Sequence, residues 1–321
     1  MLPLSHTPNK VAIRQNWDKS IISDFSTNIG KKLSYFGLPG SDIADLIDWK
    51  DYLDWRTGVE FVSPNGQATE EQRRKINELQ TNIMLKGLSS NWELRRGSLE
   101  DIVINGVDVD GNRPAKMIFD RSRLIGMNYD IHNWDFQGGF GYKNRNADSK
   151  RIRAIETCIR LQKAYASPFL FLLTFNVRHT LGNEIERYLT DQEKEIHSSR
   201  HKEILTWYSQ RGSKEGTEHY RLKAVVSLYI RRVAEIQSFD CYCYPTVYYE
   251  GWKEHLLHFV FRLIPQGTVL PCFSKQPLLD VIELPLVEMK DGGLLLPTKQ
   301  HPHFDKSKAL QALNELGLPS N

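Results

Sequence analysis

The sequence predicts an α/β protein with one mostly parallel sheet, on three observations. Apolar runs rich in β-branched and aromatic residues alternate with segments of helical period, as in a parallel sheet covered on both faces. One run, Ser167–Val177 (SPFLFLLTFNV), is continuously apolar, as a central strand buried on both faces must be. The chain has 321 residues and 40% hydrophobic content, enough to bury one large core and carry appendages.

Taken in order, the first strand is Lys32–Gly40, KLSYFGLPG. It runs into a tight turn, because Gly37, Pro39 and Gly40 continue neither a helix nor a central strand. Ser41 stands where an N-cap belongs for SDIADLIDWKDYLDW, whose Ile43, Leu46, Ile47 and Leu53 recur near helical spacing. Thr57–Val62 reads as the second strand and Glu70–Leu88 as the next crossover helix, with Ile76, Leu79, Ile83 and Leu85 on a charged background. Asn91–Ser98 is the third strand. The stretch DIVINGVDVDGNRPAKMIFD has two extended runs about Asp110-Gly111 and predicts a hairpin insertion. Met127–Phe136 is the fourth strand, with Gly138, Gly139 and Gly141 in the loop at its carboxyl end, and Arg151–Tyr165 is a helix. After the apolar fifth strand, Leu181–Gln237 is charged and helical, notably over Tyr220–Ile236. Asp240–Glu250 and His255–Ile264, joined by GWKE, predict an antiparallel hairpin at the edge of the sheet. A hairpin at Asp291-Gly292-Gly293 and a helix near Lys308–Leu316 follow. The pattern is Rossmann-like over residues 1–264, with insertions at about 102–125 and 181–237, and residues 265–321 form a C-terminal extension packed on the core.

Composition narrows the function classes. A formal charge of +3 on 42 basic and 39 acidic side chains gives no drive for broad attraction to nucleic acid or membrane. Cys158, Cys241, Cys243 and Cys272 have neither zinc-ligand nor disulfide-framework spacing, which predicts a reducing compartment and no metal site. Cys241 and Cys243 alternate along one strand face, as buried small hydrophobes do. The start, MLPLSHTPNKVAIRQ, lacks the apolar stretch of a signal peptide, and the apolar run Pro168–Phe175 is too short to cross a bilayer, so the expectation is a cytoplasmic protein away from membranes.

Five strand–helix units closed by an antiparallel hairpin resemble the layout of class I S-adenosylmethionine-dependent methyltransferases over about residues 32–264. Phe36, Gly37, Leu38, Pro39 and Gly40 stand where that family has the glycine-rich turn that approaches the cofactor. Glu60, in TGVEF, matches the acid that accepts hydrogen bonds from the ribose hydroxyls, and Ser98 and Leu99 match the polar and apolar residues that meet adenine. At the fourth strand NWDFQGG is similar to the Asp-Pro-Phe-Gly motif of tRNA guanine methyltransferases and of the partner proteins of three-cysteine-motif radical enzymes, through Asp135, Phe136 and Gly138. The resemblance implies S-adenosylmethionine as cofactor and Asp135 and Phe136 as residues that receive the target amine and pack on its base. It further implies a nucleic-acid or protein substrate, and the interposed Gln137 leaves the acceptor open. Methyl transfer needs in-line placement more than a nucleophile–base pair.

Three other features have simpler readings. His132 and His179 end neighbouring strands and suggest a metal or hydrolase site, but no third ligand or nucleophile accompanies them. Tyr242, Tyr244, Tyr248, Tyr249 and Trp252 resemble a stacking surface, which strand alternation also explains. The mixed charges of Glu193–Arg211 are those of a solvated helix face. A second reading of the chain is a Rossmann-like interaction or regulatory module without the cofactor, which the irregular first loop, Ser98 and the altered fourth-strand motif would all fit.

Overall fold

A long N-terminal helix precedes the first strand. Its first turn, α1 (Pro8–Ala12), passes through a π-helical stretch, Ile13–Asp18, directly into α2 (Lys19–Ile29). Thr7 caps the start and Gly30, at φ 67°, ends it in the left-handed conformation that glycine adopts without cost. This computed structural model describes residues 7–63, 66–136, 138–140, 147–177, 198–211, 218–251, 254–270, 280–296 and 300–315.

The core then alternates as the sequence predicts: β1 (Leu33–Gly37), α3 (Ala44–Asp48), β2 (Leu53–Glu60), α4 (Glu70–Leu85), β3 (Trp92–Arg96) and α5 (Leu99–Asn105). After the small hairpin β4 (Met117–Asp120) and β5 (Arg123–Met127) come β6 (Ile131–Asp135), α6 (Ala147–Gln162) and β7 (Phe169–Asn176). Helices α7 (Ser199–Arg211) and α8 (Glu218–Ile236) lead to β8 (Phe239–Cys243), β9 (Thr246–Glu250) and β10 (His255–Pro265). The described chain closes with α9 (Asp280–Glu283), β11 (Leu286–Lys290), β12 (Gly293–Leu295) and α10 (Lys306–Glu315).

Ten strands form one sheet in the order β12-β11-β9-β10-β7-β6-β1-β2-β3, with β8 also on β10. Strands β3, β2, β1, β6 and β7 are parallel, and β10 runs antiparallel to β7 from Leu256↔Asn176 to Leu263↔Phe169. This is a Rossmann-like fold, a parallel sheet closed by an antiparallel hairpin. The outgoing arm of that hairpin is split into β8 and β9 at Tyr244-Pro245, since proline brings no N–H to the ladder. The arm is not the sheet edge that the sequence suggests, because β11 pairs parallel to β9 and β12 pairs with β11.

Three local expectations are corrected. The helix after β1 is confined to Ala44–Asp48, its N-cap position is Ile43 rather than Ser41, and Leu53 already belongs to β2. Ile43 is a fully buried β-branched residue at φ 50°, a strained conformation that surrounding packing must hold in place. The insertion hairpin turns at Arg121 instead of Asp110-Gly111, and the first of its two extended runs is helix α5. Cys241 and Cys243 are buried, as their alternation suggests, whereas Cys272 lies outside the described residues. Among the described residues no helix is long and apolar enough to cross a membrane.

The sheet divides two apolar layers. On one face Phe36, Trp134, Phe169 and Phe171 pack with α5, α6 and α8; on the other Tyr35, Ile131, Leu170 and Leu172 meet the N-terminal helix, α3 and α4. His132 lies in the first layer, fully buried, with the rings of Phe36, Tyr129, Trp134, Phe169 and Phe171 between 5.6 and 6.1 Å away. It therefore belongs to the core and not to a cleft, and His179 lies outside the described residues.

Burial pushes the His132 pKa down to about 3, so the folded chain holds this imidazole neutral while the unfolded chain takes up a proton near pH 6.5. Its contribution is complete above about pH 6.5 and is lost as pH falls toward 3, by up to about 1.4 kcal/mol per pH unit. Urea unfolding from pH 7 to pH 4 should give a shallower fall in stability for His132→Phe than for the wild type; equal slopes would contradict this account. A second prediction concerns the contact of β1 with β6. A Cβ on Gly37 would stand 2.2 Å from the carbonyl oxygen of Asn133 and 2.9 Å from the Tyr35 hydroxyl. Gly37→Ala should lower stability by about 1–3 kcal/mol, and an unchanged urea midpoint would refute the clash.

Candidate functional site

Strand order reverses between β1 and β6, since the chain builds β2 and β3 outward on one side and β7 on the other. In an open α/β sheet the crevice outside the carboxyl ends at such a switch point is where ligands bind. Gly37, Glu60, Arg96 and Asp135 end the strands there.

The turn after β1 owes its glycines to packing as well as to conformation. Gly37 lets the Asn133 carbonyl approach and accept a hydrogen bond from Leu38 N at 3.1 Å. Pro39 is buried over β2, where a Cβ at Gly58 would meet Trp92 at 2.3 Å and Pro39 at 3.1 Å. Phe36 is wholly buried against Tyr129 at 5.1 Å and Leu38 packs half-buried on the same layer. What this turn presents outward is the backbone at Gly40, exposed and at φ 67°.

Glu60 ends β2 half-buried, and its carboxylate makes no hydrogen bond or ion pair among the described residues. Burial pushes its pKa up, with Lys75 opposing in part. A partly desolvated carboxylate gains from any donor that a ligand brings to it. Phe61 follows directly and is 54% exposed, a large aromatic ring turned to solvent at the same strand end. Phe61 stands directly after Glu60 in the sequence, and an aromatic following an acid at a strand end is the local signal that points to it.

The third-strand residues are differently employed. Ser98 is the N-cap of α5, its Oγ accepting from Asp101 N at 3.1 Å and donating to Glu100 at 3.2 Å. Leu99 is 2% exposed in the core and offers no surface to a ring. Glu100 and Asp101 pair with Arg151 and Lys150 of α6, at 3.4 and 2.6 Å.

At the end of β6, Asp135 and Phe136 point to opposite faces, as successive strand residues must. Phe136 is 4% exposed, stacked on Phe175 at 5.5 Å on one side and under the Arg151 guanidinium at 4.0 Å on the other. Both ring faces are taken, which removes the base-packing role expected from the sequence. Gly138 is described, next to Arg151, and Gln137 lies outside the described residues.

Asp135 faces the N-terminal helix and forms an ion pair with Lys10 at 2.8 Å. Burial, the largest single influence, works against the Lys10 ammonium, but Asp135, Tyr249 and Asp45 together outweigh it and hold its pKa above the ordinary lysine range. Beside this pair, Asn133 Nδ2 donates to Asp45 Oδ2 at 2.7 Å, and Arg14 bonds Asp48 with Asp45 Oδ1 4.0 Å away. Burial lifts the Asp45 pKa to about 7, with Arg14 pulling down and Asp135 pushing up, so this carboxyl is poised to exchange a proton near neutrality. Lys10 and Asp45 were not legible as site residues, because they meet Asp135 across long stretches of chain.

Of the other features, Tyr244 and Tyr249 are buried, and Tyr248 stacks between His219 at 4.2 Å and His255 at 5.6 Å. They are packed residues, while Trp252 and Glu193–His197 lie outside the described residues.

No family model and no curated protein matches the chain. Among solved structures, the chain is similar to magnesium protoporphyrin IX methyltransferase from Synechocystis PCC 6803, with 11% identity, a TM-score of 0.40, and 83% of this chain and 89% of that one covered. It is similar also to an O-methyltransferase from Bacillus cereus, at 12% identity and a TM-score of 0.39, over 78% of this chain and 81% of that one. A third is the O-methyltransferase TomG from Streptomyces achromogenes, at 11% identity and a TM-score of 0.37, over 77% and 79%.

Proposed function

We propose that the chain binds S-adenosylmethionine at the carboxyl ends of β1 and β2 and transfers its methyl group to an amine on a nucleic-acid or protein substrate. Two observations at the end of β2 carry this reading: the half-buried Glu60 carboxylate, which has no hydrogen-bond donor among the described residues, and Phe61, one residue past the strand, with its ring exposed. A ribose diol supplies two donors to such a carboxylate, and a purine supplies a π-face to such a ring. A carboxylate acceptor and an exposed ring thus fit an adenosyl group on their own chemistry, and Gly40, exposed at φ 67°, has no side chain to hinder its approach.

When bound, the cofactor supplies an electrophilic methyl carbon on a sulfonium. The protein's task is then positioning, worth several orders of magnitude when the reacting atoms are held in line. Asp135, at the neighbouring strand end, accepts a hydrogen bond from the acceptor nitrogen and aims its lone pair. Asp45, with a pKa of about 7, takes up the proton the nitrogen loses, through the carboxyl group that Asn133 orients. Phe136 and Leu99 act from below, as packing that fixes the strand ends.

Calorimetry with S-adenosylhomocysteine tests this. The wild type should bind, and Glu60→Ala should weaken binding about 10- to 100-fold, the worth of hydrogen bonds to a charged group. Phe61→Ala should weaken it about 5- to 100-fold through lost stacking. Silence of the wild type would overturn the proposal in favour of a module without cofactor. If the wild type binds, methyl transfer to tRNA, DNA and protein acceptors should be lost in Asp135→Ala; retained transfer would remove Asp135 from the acceptor site.

A further inference from the structure

We propose that α1 is a lid on the acceptor side of the cleft, latched by Lys10 on Asp135 and hinged at the π-helical stretch Ile13–Asp18. The inference rests on the assignment of Asp135 to the acceptor.

The two ends of the N-terminal helix are held by different forces. From Trp17 onward it is part of the core: Trp17, Ile22 and Phe25 are fully buried. Polar contacts, the first of them buried, pin the same portion to the sheet. Asp18 meets His258 Nε2 at 2.8 Å, with His258 Nδ1 3.0 Å from Thr174 Oγ1, and Arg262 donates to Asp24 at 2.9 Å.

The first turn, α1, buries only Ala12. Polar contacts at its start hold it down. Lys10 reaches Asp135 at 2.8 Å, Asn9 Nδ2 donates to the Glu250 carbonyl at 3.0 Å, and Asn9 Oδ1 accepts from Gly292 N at 3.0 Å. The Lys10 and Asp135 side chains are 21% and 37% exposed, so water and salt reach the pair and screen it more than they would a fully buried one.

The two portions join in the π-helical stretch Ile13–Asp18, whose second half is already pinned through Trp17 and Asp18; such stretches recur at functional sites. There the Trp49 indole donates to the Arg14 carbonyl at 3.0 Å and the Arg14 guanidinium is held by Asp48, so the joint itself stays anchored while the turn before it can swing. With α1 down, the Lys10 ammonium occupies the one carboxylate that would orient an acceptor nitrogen. With α1 raised, Asp135 is free and open to the cleft.

Hydrogen exchange of the full-length protein, followed by mass spectrometry, tests the lid. Lys10→Met should speed exchange of the α1 amides at least tenfold and leave those of Lys19–Ile29 unchanged. Lys10→Arg, which keeps the charge, should restore wild-type exchange, and the double variant Lys10→Met with Asp135→Asn should exchange no faster than Lys10→Met alone. Moderate salt should open α1 in the wild type but change Lys10→Met little. Unchanged exchange in Lys10→Met, or α1 and α2 opening together, would overturn the lid. S-adenosylhomocysteine calorimetry on the same samples reads the cofactor assignment separately. A silent wild type removes the cofactor and with it the lid's acceptor role, even where exchange uncouples.

Discussion

The site depends on one close approach of two backbones. Strands β1 and β6 come together where Gly37 has no side chain, and the Asn133 carbonyl fills the space a Cβ would need. That contact sets the switch point of the sheet, and it fixes the register that aligns Gly37 with Asn133. Asp135, two residues further along β6, therefore projects past the end of β1 on the face covered by the N-terminal helix. Removing the contact would displace the end of β6 relative to β1.

The two faces of the sheet then divide the labour. One is an aromatic layer in which His132, Phe136 and Leu99 are packing residues, and their burial explains why three residues attractive in the sequence have no access to a ligand. The other carries polar groups between the sheet and the N-terminal helix: Lys10, Arg14 and Asp18 on the helix side, and Asp45, Asn133, Asp135, Thr174 and His258 across from them. Buried polar groups on this scale persist only with partners. Most of these have one among the described residues, whereas the half-buried carboxylate of Glu60 on β2 has none there.

Much of the fold was legible because its signals are local. Ser167–Val177 reads as a central strand from its apolar run alone, and α8 from its period over Tyr220–Ile236. The N-terminal helix escaped because polar residues interrupt its apolar positions, and its burial is decided by β1, β7 and β10, which lie far off in sequence. The helix proposed after β1 ran too far because Leu53 and Trp55 fit helical spacing as well as they fit a strand, and only pairing with β1 and β3 chooses between them. In the site, strand-end positions such as Glu60 and Asp135 followed from the order of the strands. The covering of Phe136 by Arg151 and Phe175, the capping duty of Ser98, and the reach of Lys10 to Asp135 are contacts across the fold that no local pattern encodes.

The cofactor reading proposed above turns on Glu60, whose carboxylate has no hydrogen-bond partner among the described residues and would take a ribose. A crystal structure of the protein with S-adenosylhomocysteine tests it most directly. The account predicts both ribose hydroxyls within hydrogen-bond distance of the Glu60 carboxylate and the adenine ring against Phe61. A nucleoside bound elsewhere, or a Glu60 carboxylate that turns to solvent or to another side chain while the ligand is present, would contradict it.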